Sequence, residues 1–204
     1  SEQKLKDGDE IVYETDASNA DEILFFTNKC QVYKTRACEF PDTKASVLGD
    51  FVSSKLLMDK DELPVNMTVI KKYTGYMFFV FENGKIAKID MNAYETKTNR
   101  KKLIKAYSDK SPLVSCIHIE ADADYVIRST SGRFLIFNSG SISPKSTKDS
   151  QGVAIMTLKK GHKAAGVTLY NESMFVKPSR YRTKTLPAAG STLSSEDSFD
   201  QMSF

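Results

Sequence analysis

Three lysines recur at matching positions in three polar loops of the sequence. Lys44, Lys97 and Lys145 follow three candidate hairpin turns by 14, 13 and 13 residues. Hydroxyl and amide side chains surround them, namely Thr43, Ser46, Thr96, Thr98, Asn99, Ser146 and Thr147. Ammonium groups beside hydroxyl groups are typical donors to phosphate oxygens. The pattern therefore predicts an anion-binding position that is repeated along the chain.

Further positive charge is concentrated in residues 97–110. This segment carries six basic residues against Asp109 alone, for a net charge of +5. A single basic loop is usually only solvated, but three loops in register favour a polyanion such as duplex DNA. The candidate contact residues are Lys34, Arg36, Lys44, Lys97, Arg100, Lys101, Lys102, Lys105, Lys145 and Lys148.

The charge of the whole chain is unevenly distributed. The net charge of the 204 residues is +3, yet residues 1–22 carry −6, residues 194–204 carry −3 and residues 23–193 carry +12. A basic body between acidic ends fits a polyanion partner, and it fits a merely soluble basic surface equally well. We expect one domain over residues 1–193 and a disordered acidic tail over residues 194–204.

No pattern typical of an active site is visible in the sequence. His118 lies in an apolar run and His162 in a turn, and no P-loop or nucleophile elbow accompanies them. Cys30, Cys38 and Cys116 lack metal-ligand spacing, and their odd number suits a reducing compartment. We therefore expect no catalytic residue, no cofactor and no metal in this chain.

A membrane location is also not expected. No apolar run approaches the ~18 residues of a membrane-spanning helix. The first residues, "SEQKLKDGDE", are charged and lack the apolar core of a signal peptide. The sequence predicts a cytoplasmic protein that associates with the nucleoid if its partner is DNA.

The elements that must position the loops form a repeat of about 50 residues. The candidate hairpins "ILFFTNKCQVYK", "FFVFENGKIAK" and "DYVIRSTSGRFLIF" place their turns at Cys30, Gly84 and Gly132, which are 54 and 48 residues apart. Apolar residues alternate with lysines in "CQVYK" and "GKIAKI", which is typical of strands. The closing apolar run of each repeat recurs at intervals of 49 and 51 residues.

Each repeat is expected to contain four strands. Its hairpin and polar loop precede an apolar run ("SKLLM", "KKLIKAY" or "GVAIMTL"), a charged turn and a closing strand. Four strands in a repeat of this length are typical of an all-β, propeller-like array. The complete repeats are expected at about 23–70, 77–120 and 125–170, and "DEIVYET" at 9–15 is expected to be the closing strand of a partial repeat.

These segments resemble the repeats of the C-terminal domain in the A subunit of bacterial DNA gyrase and in its topoisomerase IV counterpart. The resemblance rests on "EILFFTNKCQVYK", the loop with "TKAS" and "SQGVAIMTLKKGHKAAGVTLY", in which Gly152-Val153 and Gly166-Val167 match the family pattern. It covers about residues 5–170. It implies a β-pinwheel, a propeller-like fold of four-stranded blades in which neighbouring blades exchange strands.

The resemblance also implies a function. Domains of this family bind and bend duplex DNA along a basic outer rim. They lie beside the catalytic core of the same polypeptide, which cuts DNA with a tyrosine, and work with a separate ATPase subunit; the whole enzyme is an ATP-dependent isomerase. No recognition helix and no tryptophan is present here, so base-specific contacts are not expected.

The sequence departs from the family pattern at three points. Cys30 stands where the family has a turn glycine, so a looser first turn is expected. The glutamine-, arginine- and glycine-rich box associated with gyrase-type wrapping is absent, and fewer repeats are present than in a full domain. The missing box favours a topoisomerase IV-like or fragmentary form. The alternative is a small β-propeller that binds an acidic protein through its basic face.

Overall fold

The computed structural model describes residues 5, 7–44, 46–97, 100–197 and 204. The regular secondary structure of these residues is mainly β-strand, which confirms the all-β expectation. The strands are β1 (Glu22–Thr27), β2 (Val32–Arg36), β3 (Pro64–Ile70), β4 (Tyr76–Phe81), β5 (Lys85–Asp90), β6 (Lys102–Leu103), β7 (Leu113–Ile119), β8 (Asp124–Ser129), β9 (Arg133–Asn138), β10 (Val153–Ala154), β11 (Ala164–Leu169) and β12 (Ser191–Thr192).

Helical structure in the described residues is short. It consists of α1 (Val52–Lys55) and 3₁₀ turns at Ala37–Glu39, Met91–Tyr94, Ser139–Ser141 and Pro178–Arg180. Within the same residues, none of these helices has the length and apolar character that a membrane crossing requires.

The strands pair into three antiparallel sheets of four strands each. Sheet A has the order β3-β1-β2-β6, sheet B the order β10-β5-β4-β7, and sheet C the order β11-β8-β9-β12. Each sheet contains a hairpin and the closing strand of its own repeat. The fourth strand follows the next hairpin in sheets A and B, and follows the closing strand in sheet C. The exchange of strands that the resemblance implies is therefore present in the backbone pairing.

The chain forms two compact units. The first contains the described residues of Ser1–Tyr73 and Thr96–Ala106, with sheet A; the second contains those of Thr74–Glu95 and Tyr107–Phe204, with sheets B and C. In the first unit, Phe25 and Tyr33 of the hairpin pack against Phe40, Val52 and Leu56 from the long loop. This loop covers a sheet face that would otherwise expose aromatic surface to water.

A continuous core joins sheets B and C within the second unit. Phe78 and Ile86 of sheet B pack with Ile127 and Leu135 of sheet C. The first hairpin strand of sheet B is buried on both faces, since five consecutive residues of "YMFFVF" are inaccessible. Burial on both faces explains why this strand is an unbroken apolar run and does not alternate.

The three hairpin turns have the same backbone conformation. Cys30, Gly84 and Gly132 have φ values of +54°, +78° and +69°. Each donates its N–H to the carbonyl of the third residue before it, at 3.2, 3.0 and 3.0 Å. The expectation of a looser turn at Cys30 is therefore wrong. The carbonyl of Cys30 accepts from Ala106 at 2.8 Å, and this bond helps to hold a conformation that costs a non-glycine residue about 1–2 kcal/mol.

Two segments of the first unit that were expected to be strands are not. The run "SKLLM" at 54–58 lies at the end of α1 and beyond it, and residues 9–15 contain no strand and expose Ile11, Val12 and Tyr13. In the second and third repeats, the run equivalent to "SKLLM" pairs with the hairpin of the repeat before it: β6 pairs with β2, and β10 pairs with β5. The described part of residues 5–21 contains no hairpin that could accept it.

Glycine allows the donated strands of sheets B and C to approach closely. Gly152 precedes β10 at a φ of +74°, and Gly190 precedes β12 at a φ of +67°. A Cβ atom would lie 2.3 Å from the Ile86 carbonyl oxygen at Gly152 and 2.5 Å from the Phe134 carbonyl oxygen at Gly190. The pairing register places Lys102 at the corresponding position of sheet A. Glycine is thus required for the close approach of β10 and β12, whereas β6 pairs with β2 without one.

We expect Gly152→Ala to lower the free energy of unfolding by about 3 kcal/mol or more, because it adds a backbone clash to an unfavourable φ. Gly132→Ala is the matched control: its φ is +69°, but no atom lies within 4 Å of the added Cβ. The control should lose only about 1–2 kcal/mol. Urea unfolding of both variants measures the difference, and equal losses would contradict the close approach.

Candidate nucleic-acid interface

Eight of the ten candidate contact residues belong to the first unit, and Lys145 and Lys148 belong to the second. Five of the eight line one open cleft of about 410 Å³. Its basic residues are Lys34, Arg36, Lys97, Arg100 and Lys101, and its other lining residues are Glu22, Thr35, Glu39 and Thr96. Five cations face two carboxylates, so the cleft carries a net positive charge.

Strand exchange builds this cleft. Lys34, Thr35 and Arg36 end β2, while Arg100 and Lys101 lead directly into β6, which pairs with β2. The Lys34 N–H donates to the Lys101 carbonyl at 2.7 Å, which extends the pairing beyond β6. Basic residues that are more than 60 positions apart in sequence therefore lie along the same pair of backbone segments.

Lys34 forms the buried floor of the cleft. Its side chain is only 7% exposed, and its Nζ lies 3.8 Å from Glu22 Oε2 and 3.0 Å from Thr96 Oγ1. The ammonium also lies 4.9 Å from the ring centroid of Tyr73, whose hydroxyl donates to Glu22. A carboxylate and an aromatic face therefore compensate the charge of Lys34 inside the protein.

The wall of the cleft is exposed and less compensated. Arg36, Lys97 and Arg100 are exposed and form no ion pair within the described residues. Lys101 is 70% exposed, and its Nζ lies 3.2 Å from Glu39 Oε2. Exposed guanidinium and ammonium groups of this kind can reach an anion without first leaving a buried site.

Glu39 is held among anion donors. The hydrogen bond from Lys101 lowers the pKa of Glu39 from its ordinary value against an opposing effect of burial, and the nearby Thr35 hydroxyl and the Arg36 backbone also favour the charged form. The Thr35 hydroxyl is buried and makes no hydrogen bond of its own in the described structure. Because its pKa is lowered, Glu39 keeps its negative charge at pH values at which an ordinary glutamate begins to take up a proton.

The other candidates of the first unit lie outside the cleft lining. Lys44 and Lys105 are exposed. Lys102 is engaged elsewhere: its Nζ lies 2.8 Å from Asp59 Oδ2 and 5.4 Å from the ring centroid of Tyr33. Asp59 raises the pKa of Lys102, so a contact between Lys102 and another anion would require this pair to exchange.

In the second unit, Lys145 is exposed and its backbone is fixed beside β5. Its N–H donates to Lys88 O at 2.8 Å, and its carbonyl accepts from Asp90 N at 2.8 Å. Lys148 is half-buried. The backbone of Lys145 is thus fixed by pairing while its side chain is free to reach solvent.

Sequence reasoning missed Lys88, which corresponds to Lys34. Lys88 is 3% exposed, its Nζ lies 2.6 Å from Asp122 Oδ1, and it stands 4.4 Å from the ring centroid of Tyr76. The signal was available, because Lys34 and Lys88 both follow their turn position by four residues. Lysines that alternate with apolar residues in these hairpins can therefore be buried, paired groups.

The basic segment "KPSRYRTK" at 177–184 is packed into the second unit. Tyr181 is buried, stacks on Phe175 with 4.1 Å between ring centroids, and donates its hydroxyl to Asp197 at 2.6 Å. Lys177 and Arg182 pair with acidic residues of the same unit. Residues 194–197 of the acidic end thus contact this segment, while 198–203 lie outside the described residues. Two of the four positive charges of the basic segment are thus paired with carboxylates of the same unit.

Among the described residues, no cluster of three or more histidine, cysteine, aspartate or glutamate side chains could hold a metal ion.

Comparison with protein families places the chain beside known domains. The family model described as the DNA gyrase C-terminal domain, beta-propeller, matches residues 21–46 and 125–171. The A subunit of DNA topoisomerase 4 from Staphylococcus aureus (strain MRSA252) is 28% identical over 158 residues, which are 76% of this chain and 20% of that protein. The corresponding Staphylococcus epidermidis protein is 27% identical over 158 residues, with the same coverage. The chain thus spans about a fifth of these relatives.

Solved structures show the same fold. The C-terminal domain of DNA topoisomerase IV aligns with a TM-score of 0.73 at 23% identity, over 84% of this chain and 54% of that one. The C-terminal domain of DNA gyrase A aligns with a TM-score of 0.61 at 21% identity, over 92% and 65%. The family model and the topoisomerase 4 relatives confirm the family resemblance, and these structures confirm the propeller-like pinwheel fold.

The buried and exposed lysines of the cleft should respond differently to truncation. We expect Lys34→Ala to lower the free energy of unfolding by about 2 kcal/mol, because Glu22 loses its cation in a partly buried site. Lys97→Ala, at an exposed position of the same cleft, should change it by less than ~0.5 kcal/mol. Urea unfolding of the full chain measures both values, and similar losses would show that Lys34 is not part of the folded core.

Proposed function

We propose that this relative of the C-terminal domains of DNA gyrase and topoisomerase IV binds and bends duplex DNA through its phosphates, without reading base sequence. The observation that carries the proposal is the basic cleft of the first unit, in which five predicted contact residues converge. The confirmed family resemblance supports it. The proposed role is that of a non-catalytic DNA-binding segment in the A subunit of a type IIA topoisomerase.

Phosphate binding follows from the chemistry of the cleft wall. The guanidinium groups of Arg36 and Arg100 can each donate two parallel hydrogen bonds to a phosphate, while Lys97 and Lys101 act as point charges. The hydroxyl of Thr96 adds a neutral donor beside them. These contacts fix the position of the backbone and carry no base information.

Bending requires contacts beyond one cleft. Bending a duplex site costs on the order of 1–6 kcal/mol, which must be offset by contacts along the arc. The loop lysines Lys44, Lys97 and Lys145 are exposed and recur once per repeat. We propose that Lys44 and Lys145 add phosphate contacts to those that Lys97 makes in the cleft, and that any sequence preference reflects how easily the DNA bends.

Catalysis is assigned to other parts of the enzyme. The chain matches about 20% of the length of its topoisomerase 4 relatives. We propose that the catalytic core of the same polypeptide cuts the DNA that this segment holds, that a separate ATPase subunit drives the cycle, and that the enzyme works on the nucleoid in the cytoplasm. The segment itself is proposed to need no cofactor.

A second candidate function is a protein contact. Leu48, Phe51 and Leu57 of the first unit are 89%, 69% and 85% exposed. Three large apolar side chains exposed within ten residues of one loop favour a protein surface as a partner of that loop. The two functions differ in their dependence on salt, since an apolar contact releases no counterions.

We expect random-sequence duplex DNA to bind the full chain with a strong salt dependence. If about five phosphates are neutralised, log K should fall against log[salt] with a slope of roughly −4 to −5. Fluorescence anisotropy between low and moderate salt measures this slope. A flat dependence, or no binding at low salt, would favour the protein-contact function.

The periodic lysines should contribute similarly to DNA binding. We expect Lys44→Ala, Lys97→Ala and Lys145→Ala each to weaken binding and to reduce the magnitude of the salt slope by about one. Lys60→Ala, in a charged turn away from the loops, is the control and should have a much smaller effect. If Lys60→Ala weakens binding as much as the loop variants, the DNA does not follow the repeated loops.

A further inference from the structure

We propose that the Glu39 carboxylate occupies the seat of one DNA-backbone phosphate in the free chain, and that DNA displaces it on binding. This inference rests on the proposed function and deepens it. It assigns one phosphate to one side of the cleft and gives Glu39 the role of an internal substitute for that phosphate.

The surroundings of Glu39 are those of a bound anion. Lys101 Nζ lies 3.2 Å from its carboxylate. The Thr35 hydroxyl and the Arg36 backbone also lower the pKa of Glu39, although the Thr35 hydroxyl makes no hydrogen bond in the described structure. A charged side chain, a hydroxyl and a backbone group of this kind are the donors that proteins present to phosphates. In the free chain, a carboxylate of the protein itself takes that place.

Thr35 shows that the carboxylate fits the seat incompletely. Its side chain is 4% exposed and lines the cleft, yet its hydroxyl has no hydrogen-bond partner in the described structure. Buried hydroxyls are normally bonded, and an unmade bond is unfavourable. The tetrahedral oxygens of a phosphate diverge in space, whereas those of a carboxylate share a plane. A phosphate can therefore accept from Lys101 and Thr35 together.

Glu39 is also the acid that can leave the cleft. Its side chain is 39% exposed, so water can solvate it once it moves. Glu22, the other acid, accepts from the Tyr73 hydroxyl and faces the buried Lys34. Displacing Glu22 would leave a buried cation without its partner, whereas displacing Glu39 leaves Lys101 with the phosphate in its place.

The displacement has a specific effect on counterions. A phosphate that is neutralised by a free lysine releases about 0.9 of a counterion. At this seat, the displaced Glu39 keeps its negative charge beside the DNA, which offsets that release. Removal of the Glu39 charge should therefore strengthen binding and steepen the salt dependence together.

The first test compares two charge-removing variants of the full chain, with a random-sequence duplex titrated over a range of salt. Glu39→Gln is expected to tighten binding about five- to tenfold at low salt and to steepen the slope by about 0.9. Asp50→Asn is the matched control, because Asp50 pairs with Lys55 at 2.6 Å in the same unit and lies outside the cleft lining. It should change affinity less than twofold. Equal effects of both variants would overturn the proposal.

The second test addresses the neutral donor. Thr35→Val should weaken DNA binding about three- to tenfold with an unchanged salt slope, because the lost group carries no charge. Thr35→Ser should bind within twofold of the original chain, and Thr168→Val on β11 controls for a threonine outside the cleft. Thermal unfolding verifies that each variant is folded. If Thr35→Val binds DNA as tightly as Thr35→Ser does, the proposal that Thr35 donates to a phosphate at this seat is contradicted.

A third measurement separates this inference from the proposed function. Inorganic phosphate is titrated into each variant at constant ionic strength, and it is expected to bind Glu39→Gln more tightly than the original chain, because the carboxylate no longer fills the seat. If DNA binding depends on salt but is unchanged in Glu39→Gln and Thr35→Val, the proposed function is supported and the proposed phosphate seat is contradicted. Phosphate binding that responds to both variants, without DNA binding by the original chain, overturns the proposed function and assigns the seat to free phosphate.

Discussion

The structure depends on backbone pairing between the second strand of each hairpin and a short strand from later in the chain. β6, β10 and β12 contain two residues each, too few to be stable alone, yet each closes an otherwise open sheet edge. Gly152 and Gly190 permit this approach in sheets B and C, where a side chain would meet a backbone carbonyl. The strand exchange is therefore both the link between repeats and the source of their loop positions.

The same pairing determines where charge can accumulate. Arg100 and Lys101 lie beside the end of β2 because β6 follows them, so they meet Arg36 in one cleft. Like charges repel, and the cleft tolerates them because its floor and wall differ. Lys34 is compensated inside the protein by Glu22, whereas the wall residues remain in water, where repulsion is screened.

The repeat period, the hairpins and the all-β class were predictable, since strand alternation and turn spacing are local signals. Strand exchange was predicted only from the family resemblance. Two-residue strands such as β10 form because of a distant partner, so their own composition does not indicate them. The same reason explains the wrong prediction for 54–58. The basic residues of the cleft were predicted as a set, but burial separated Lys34 and Lys88 from the exposed lysines, and burial depends on faces that alternate within a strand.

The carboxylates of the protein itself determine how strongly its basic surface attracts a polyanion, because each one can neutralise a nearby lysine. Lys88 is only 3% exposed and lies 2.6 Å from Asp122, so this pair belongs to the folded core, whereas the partly exposed Lys102 lies 2.8 Å from Asp59. Glu39 differs because its partner Lys101 is mostly exposed, so the pair contributes little to stability. An ion pair that costs little to break is suited to exchange with an external anion. An ion pair with a buried cation is not suited to such exchange, because loss of its carboxylate would leave an unpaired charge inside the protein, which is strongly destabilising.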